Sequence, residues 1–539
     1  MNRSDSITSA VRKPSPHPVR TFSGPSGAGV FIVLAILGLL VLLSSAQAEQ
    51  KTIRILHIND FHGFAEPYKA IGSDRLLGGA ACLAARINQF RADTNVPALF
   101  LAAGDMIQGN NWANLTQGQS VIELLNLMKV DAMVIGNHEM DFGQEVLKKR
   151  ISEARFPVLG ANVAGMPELK PWVLLNAGGI RVAVLGVVTE DTPIASNPVN
   201  MTGLNFATPR ETVLKYLPEI KKAADVVILL SHLGYPNDRR LAEQAGGIDA
   251  IVGGHSHTRV DSPTPVNNTI VVQAWEHGKA LGILDITLED GKVVKASGRL
   301  EEIDPAREMH DTHVALLVQK YSAMVDARLN AEIGTALCDL DGGNVRKRET
   351  NLGDLVADII RETAGADAAL INGGSIRTSI LKGTIRVKDV YSVLPFNNYI
   401  VAIRLKGSLL REAIEHAVSG NEQDSPGAFP QISGIRFGYD PTLPPGRRVK
   451  DIQIGGAPMD PEKEYTVATQ DFIVAGGDGF KAFGDAIRSS KDFAEVGGAL
   501  KGEKLVFNDS TRWLRDVVVD YIRNHKEINP REEGRINRL

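Results

Sequence analysis

Five segments of this chain close an apolar run with Asp, Asn or His: Asn59-Asp60-Phe61-His62, Gly104-Asp105, Gly136-Asn137-His138-Glu139, Ser231-His232 and Gly253-Gly254-His255-Ser256-His257. Imidazole nitrogen, carboxylate and carboxamide oxygen are donors that suit zinc, manganese, cobalt or iron. Residues two apart in extended chain point the same way, so Asp60 with His62, and His255 with His257, can each aim two donors at one place. One Asp can bridge two cations about 3.5–4 Å apart; such a pair activates a hydroxide and neutralises the charge that builds on a phosphoryl group. Any one of these histidines alone reads as a core or turn residue. The set reads as a metal centre for phosphate-ester hydrolysis.

Such donors must be carried by strands that end together. Apolar runs at Ile53 to Ile58, Ala98 to Ala102, Met133 to Ile135, Val158 to Gly160, Arg181 to Val188, Val226 to Leu230 and Ala250 to Val252 read as buried strands. Helical patterns lie between several of them, at Gly79–Arg91, Ser120–Met128, Gln144–Ala154 and Pro209–Ala224. This alternation predicts a layered α/β domain with ligands at the carboxyl ends of its strands. The domain is expected to span 49–304, followed by a linker helix at 305–333 with apolar Val314, Leu317, Tyr321 and Met324 at helical spacing. A second α/β region, 334–526, repeats the theme: Leu352–Ala364 and Ser408–Val418 as helices, Ala368–Ile371 and Tyr465–Thr469 as strands. Gly and Pro across 425–446 predict turns and exposed loops. The tail, 527–539, is expected to be flexible.

The first 48 residues read as a secretory leader: Arg3, Arg12, Lys13 and Arg20, an apolar run from Val30 to Leu43, then Ala46-Gln47-Ala48 as the cleavage signal. The run is short of the roughly 20 residues that span a bilayer, which favours cleavage after Ala48 over an uncleaved anchor. No second apolar run of spanning length follows, so the mature chain is expected in the periplasm or outside the cell, free or tethered, with no transmembrane segment. A formal net charge of -4 gives no footprint for a nucleic-acid polymer. The two cysteines, Cys82 and Cys338, are too few for a disulfide framework, and their separation argues against a bridge.

In the second half, Asn372-Gly373-Gly374-Ser375-Ile376-Arg377 follows an apolar strand. It reads as a Gly-rich turn offering backbone amides and one guanidinium, a group that takes phosphate oxygens bidentately. By itself such a turn is common.

Taken together, Asn-Asp-Phe-His-Gly, Gly-Asp-x-x-x-Gly, Gly-Asn-His-Glu-x-Asp, Ser-His-x-Gly and Gly-Gly-His-Ser-His resemble, in order, the calcineurin-type metallophosphoesterase motifs of the 5'-nucleotidase family. Asn-Gly-Gly-x-Ile-Arg, Leu394-Pro395-Phe396, the Phe429 loop and Asp471 to Phe480 resemble that family's C-terminal domain. The resemblance implies a two-sheet sandwich flanked by helices, joined by the linker helix to a smaller α/β substrate-binding domain. It implies Asp60, His62 and His257 on one divalent metal, Asn137, His232 and His255 on the other, and Asp105 as bridge, with zinc, manganese or cobalt bound. His138 and Asp141 resemble a catalytic dyad, in which the carboxylate fixes the imidazole tautomer and raises its pKa. Arg377 resembles a phosphate-binding arginine, Phe429 and Phe472 a pair that clamps the base, and Asp478 the acceptor of the ribose hydroxyls. Arg404 and Arg411 are candidates for further phosphate arginines. His277, His310, His313 and His416 match no motif and read as surface or core residues.

The expected activity is hydrolysis of nucleoside 5'-monophosphates to nucleoside and phosphate by a two-metal-activated hydroxide. A 2',3'-cyclic-nucleotide phosphodiesterase or UDP-sugar diphosphatase on the same scaffold stays open. Asn59, where the cyclic enzymes more often carry Thr, favours the nucleotidase. The phenylalanines argue against a thiosulfate-ester hydrolase, and the intact ligand set argues against a binding protein without turnover.

Overall fold

The computed structural model describes residues 14–16, 18, 50–420, 427–496 and 499–539; the apolar run and cleavage point expected for the leader lie outside them. Four strands, β1 (Gln50–Ile58), β2 (Ala98–Ala103), β3 (Ala132–Val134) and β4 (Val158–Leu159), run parallel in one sheet. A second sheet holds β5 (Trp172–Ala177), β6 (Ile180–Val188), β7 (Val226–His232), β8 (Ala250–Gly253), β9 (Thr264–Val266) and β10 (Thr269–Gln273), in the order β9-β10-β8-β7-β6-β5. The hairpin β11 (Ala280–Glu289) and β12 (Lys292–Glu302) then returns to the first sheet, with β11 antiparallel to β1.

Side-chain alternation explains why two sheets form. Ile53 and Ile55 of β1 pack with Leu101, Ile228 and Leu230 between the sheets. Leu56 and Ile58 instead face the helices Ala80–Ala92 and Gln119–Leu127, meeting Leu83, Ile87, Val121 and Leu124. On β7, Val227 and Leu229 turn outward onto Val213, Leu217 and Leu241 of two further helices. A strand buried on both faces has apolar residues at every position, which is how these runs read in the sequence. The result is the expected sandwich of two sheets flanked by helices. No helix among the described residues is long and apolar enough to cross a membrane.

The second α/β region is built on β13 (Ala368–Asn372), β14 (Tyr399–Lys406), β15 (Pro430–Ser433), β16 (Glu464–Gln470) and β17 (Leu505–Trp513), in the order β15-β13-β16-β14-β17. The helix Asn351–Ala364 covers it, capped by Thr350, whose hydroxyl accepts from Gly353 N at 3.1 Å, and closed by Gly365 at φ 58°.

Three expectations are corrected here. The helix predicted over 305–333 spans only Thr312–Leu329, because Asp311 caps it by accepting from Val314 N at 3.0 Å. Ile333 belongs instead to a strand, Glu332–Ala336, paired with Gly383–Arg386. The stretch 425–446 is not all turn and loop: Pro430–Ser433 and Ile435–Tyr439 are strands, joined by Gly434 at φ 71°, with Ile432, Ile435 and Phe437 buried. The tail is tied down, with Ile536–Arg538 pairing parallel to Phe437–Tyr439.

The tail is held because Arg535 is buried and bonds both carboxylate oxygens of Asp358 at 2.8 Å and the Ile432 carbonyl at 2.7 Å. Glu349 accepts from the backbone N–H groups of Glu533, Gly534 and Ile536. Asp358 is about a third exposed, so Arg535→Ala is expected to cost roughly 1.5–3 kcal/mol, the worth of hydrogen bonds to a charged group. Urea unfolding of the purified variant measures this; an unchanged midpoint would refute the tail's role. Cys82, buried in the helix Ala80–Ala92, and Cys338 are both free thiols, which closes the question of a bridge between them.

Candidate active site

The carboxyl ends of β1, β2 and β3 in one sheet, and of β7 and β8 in the other, converge on one place. Asp60 and His62 follow β1, Asp105 follows β2, Asn137 follows β3, His232 ends β7, and His255 and His257 follow β8. Asp60, His62 and His257 bring donor atoms within 4.8 Å of one another, as do Asp105, His232 and His255. His62 Nε2 lies 3.9 Å from Asp105 Oδ2, and His232 Nε2 lies 3.1 Å from the same oxygen, so Asp105 stands between the two groups. Asn137 Oδ1 lies 3.0 Å from His255 Nδ1, joining Asn137 to the second group.

The backbone is bent to achieve this. Asp60, His62, Asp105, His255 and His257 all adopt left-handed φ, between 49° and 80°. Non-glycine residues rarely do so, and each strained position costs of order 1–3 kcal/mol that the surrounding fold must offset. Part of that support is Glu139, fully buried, whose carboxylate accepts from the N–H groups of Asp105, Met106, Ile107 and Gly136. Gly104 and Gly136 make room: a Cβ at Gly104 would sit 2.5 Å from His232 Nδ1, and one at Gly136 would fall on the Asp105 carboxylate.

The far nitrogens fix the imidazoles. His62 Nδ1 lies 2.8 Å from the Gln108 carbonyl and His232 Nδ1 lies 2.7 Å from the Ala103 carbonyl, so each donates there and turns its Nε2 lone pair inward. His232 Nε2 is buried without an aligned hydrogen-bond partner. Two donor atoms facing one point, and not each other, are what a cation requires. Burial, with His232 nearby, lowers His255 to about 3, keeping it neutral and able to ligate. Burial pulls His232 down, but the Asp105 charge outweighs it and pushes His232 up to about 10 in the metal-free protein.

His138 Nδ1 lies 2.7 Å from Asp141 Oδ2, and its ring packs against Phe396 at 5.6 Å between centroids. Burial alone would lower His138; the Asp141 and Asp105 carboxylates overcome it and raise the pKa, favouring an imidazole that holds a proton to donate.

The centre opens into a cavity of about 730 Å³ lined by both halves of the chain. Asp105, Asn137, His138, His255 and His257 line one part, and Arg377, Phe472 and Asp478 line the other. Arg377 Nη2 lies 3.0 Å from His62 Nε2, placing the guanidinium beside the Asp60–His62–His257 group.

A match to the calcineurin-like phosphoesterase model covers residues 53–259, and one to the 5'-nucleotidase C-terminal domain model covers 330–485. The human 5'-nucleotidase is 31% identical, with 92% of each chain aligned. The chain belongs to the 5'-nucleotidase family. It is therefore a metal-dependent phosphoester hydrolase, and the family implies divalent metal ions at a site of this kind. A 5'-nucleotidase precursor from Thermus thermophilus superimposes with a TM-score of 0.82 at 33% identity, covering 90% of this chain and 99% of that one. A trifunctional nucleotide phosphoesterase of Bacillus subtilis is 33% identical over 90% of this chain, which spans about a third (35%) of that longer protein.

Around the cavity, Asp478 adopts φ 48° and accepts from Asn372 Nδ2 at 2.6 Å. Burial raises its pKa, while the Asn372 bond holds it back. Phe472 lies on the Gly477 backbone, where a Cβ would meet its ring. Phe429, in contrast, is 4% exposed, packs edge-on against Tyr439 and does not line this cavity; Phe396 does. Arg404 and Arg411 are exposed and away from the cavity, and Arg346 and Arg515 line it in their place.

Sequence reasoning also passed over Glu139, His277 and His416. His277 lies beside the ligands, its ring centroid 5.9 Å from that of His257. His416 Nε2 lies 2.7 Å from the Asp478 carbonyl. Only the Glu that follows Asn137-His138 carried a local signal, its place inside the Gly-Asn-His-Glu motif.

Proposed function

We propose that the chain is an exported 5'-nucleotidase that hydrolyses nucleoside 5'-monophosphates to nucleoside and inorganic phosphate. The observation that carries this reading is the shared cavity. It joins the ligand groups at the strand ends to Arg377, Phe472 and Asp478 of the second domain. A bare phosphatase would need only the first set.

Asp60, His62 and His257 would hold one divalent cation, Asn137, His232 and His255 the other, and Asp105 both, with zinc, manganese or cobalt fitting the donors. When bound, such a pair supplies Lewis acidity and an activated water. The chain's own residues do the rest. Arg377, lowered to about 10 by burial and the neighbouring Arg346 yet still cationic at neutral pH, takes phosphate oxygens. His138, oriented by Asp141, donates to the oxygen on which charge develops. Asp478 accepts ribose hydroxyls and Phe472 stacks on the base. Phe396 faces the cavity from the second domain, whereas Phe429, packed against Tyr439, does not line it. The leader, and relatives named as venom and animal 5'-nucleotidases, support export.

Product analysis with AMP, UDP-glucose and 2',3'-cyclic AMP in parallel tests the substrate. Adenosine and phosphate from AMP are expected; turnover of only one of the others would overturn the assignment while keeping the metal centre. One feature favours the sugar nucleotide as a second substrate: Leu233, Pro236, Asn237 and Arg240 also line the cavity, giving a second substituent on the phosphate a place.

Stacking a base on an aromatic ring is worth about 1–3 kcal/mol. Phe472→Ala is therefore expected to raise KM for AMP by roughly 5- to 150-fold. Hydrolysis of p-nitrophenyl phosphate, which has no base, is expected to stay unchanged. Equal losses on both substrates would remove Phe472 from base recognition.

A further inference from the structure

His257 is a ligand candidate whose second nitrogen is already engaged. Its Nδ1 lies 2.5 Å from Glu276 Oε2, while Glu276 Oε1 accepts from Lys279 Nζ at 2.6 Å. Lys279 is buried, its ammonium set over the rings of Tyr68 at 4.3 Å and Trp275 at 4.8 Å. This short segment is pinned to the metal-binding end of β1. Asn59 Nδ2 donates to the Trp275 carbonyl at 2.5 Å, and His277 N donates to the Asp60 carbonyl at 2.8 Å. Trp275 and His277 both adopt left-handed φ, 64° and 57°, and the His277 ring stacks on Phe64 with centroids 3.8 Å apart. A backbone bent twice within three residues places the Glu276 carboxylate beside His257.

By donor type alone, His257, Glu276 and His277 form a third cluster within 4.8 Å. Lys279 decides against a third cation there, because its ammonium already compensates the Glu276 carboxylate at 2.6 Å. Glu276 then serves as acceptor for the His257 imidazole. An imidazole donating from Nδ1 keeps its lone pair on Nε2, and that atom faces Asp60 Oδ1 at 3.4 Å and His62 Nε2 at 3.2 Å.

We infer that Glu276, held by Lys279, is a positioning residue that orients His257 and sets the affinity of the Asp60–His62–His257 metal position alone. The inference rests on the two-metal reading given above. Carboxylates that orient a ligating histidine typically contribute 10- to 100-fold in metal affinity.

The test uses the purified full chain as wild type, Glu276→Ala and Glu276→Gln, stripped and reloaded with zinc. Bound metal per chain is counted by mass spectrometry, and each affinity is read by chelator competition. In Glu276→Ala, one ion is expected to weaken by about 10- to 100-fold while the other keeps wild-type affinity. Glu276→Gln, which keeps an acceptor oxygen for the imidazole, is expected to fall between. Two ions held at wild-type affinity by Glu276→Ala would overturn the inference, as would equal weakening of both. Wild type taking up three ions where Glu276→Ala takes two would also overturn it, making Glu276 a ligand. Wild type taking up fewer than two ions would instead contradict the two-metal reading on which the inference stands.

Discussion

Asp105→Ala is expected to lower phosphate release from AMP by roughly 10³-fold or more, the several kcal/mol that a bridged metal pair supplies to a phosphoryl transition state. The reason is positional. Asp105 is the carboxylate that approaches both histidine groups, 3.9 Å from His62 Nε2 and 3.1 Å from His232 Nε2. It also accepts from the backbone N–H of His138 at 3.0 Å, so the substitution loosens the loop that carries His138 as well. Asp105→Asn separates the two effects, since a carboxamide oxygen can still accept that hydrogen bond while losing the bridging charge. The same loss in both variants, with metal content reduced, is expected. Wild-type turnover by Asp105→Ala would remove Asp105 from the metal centre.

His138→Ala comes second. Its expected effect is a fall of about 10²–10³-fold in kcat, the usual cost of removing one donor to a developing oxyanion. KM should change little, because an interaction made only in the transition state lowers kcat and kcat/KM together. Metal content should be unchanged, since His138 is not among the ligand groups. Asp141→Asn should lose less, because it removes the charge behind the 2.7 Å contact while leaving the imidazole in place. Full activity in His138→Ala would assign the ring a packing role against Phe396.

What the sequence disclosed follows from how each feature is encoded. Strands buried on both faces, such as Val226–His232, are unbroken apolar runs, and a polar ligand at the end of such a run stands out. The grouping of Asp60, His62, Asp105, Asn137, His232, His255 and His257 was therefore visible as strand-end chemistry. The left-handed φ of five of these residues was not, because nothing about Asp or His demands it. The roles of Glu139 and Glu276 were hidden for a different reason. Their partners are backbone amides and a histidine brought near only by folding, 34 residues separating Glu139 from Asp105 and 19 separating Glu276 from His257. The strands at 430–439 were masked by flanking Gly and Pro, although Ile432 is buried and Ile435 and Phe437 share one buried face. The tail looked polar and loose because Arg535 is paired with Asp358, far away in sequence. Phe429 shows the limit of motif transfer: its position in the chain matched, but its ring here faces the core.

The central claim is that two metal ions at the strand ends cleave a nucleotide held by the second domain. Its most direct test is phosphate release from AMP by the purified chain, first stripped of metal and then titrated with zinc, manganese or cobalt. Release is expected to be absent in the stripped protein and to reach its full rate as the second ion per chain binds. Two ions bound with no phosphate released from AMP would contradict it.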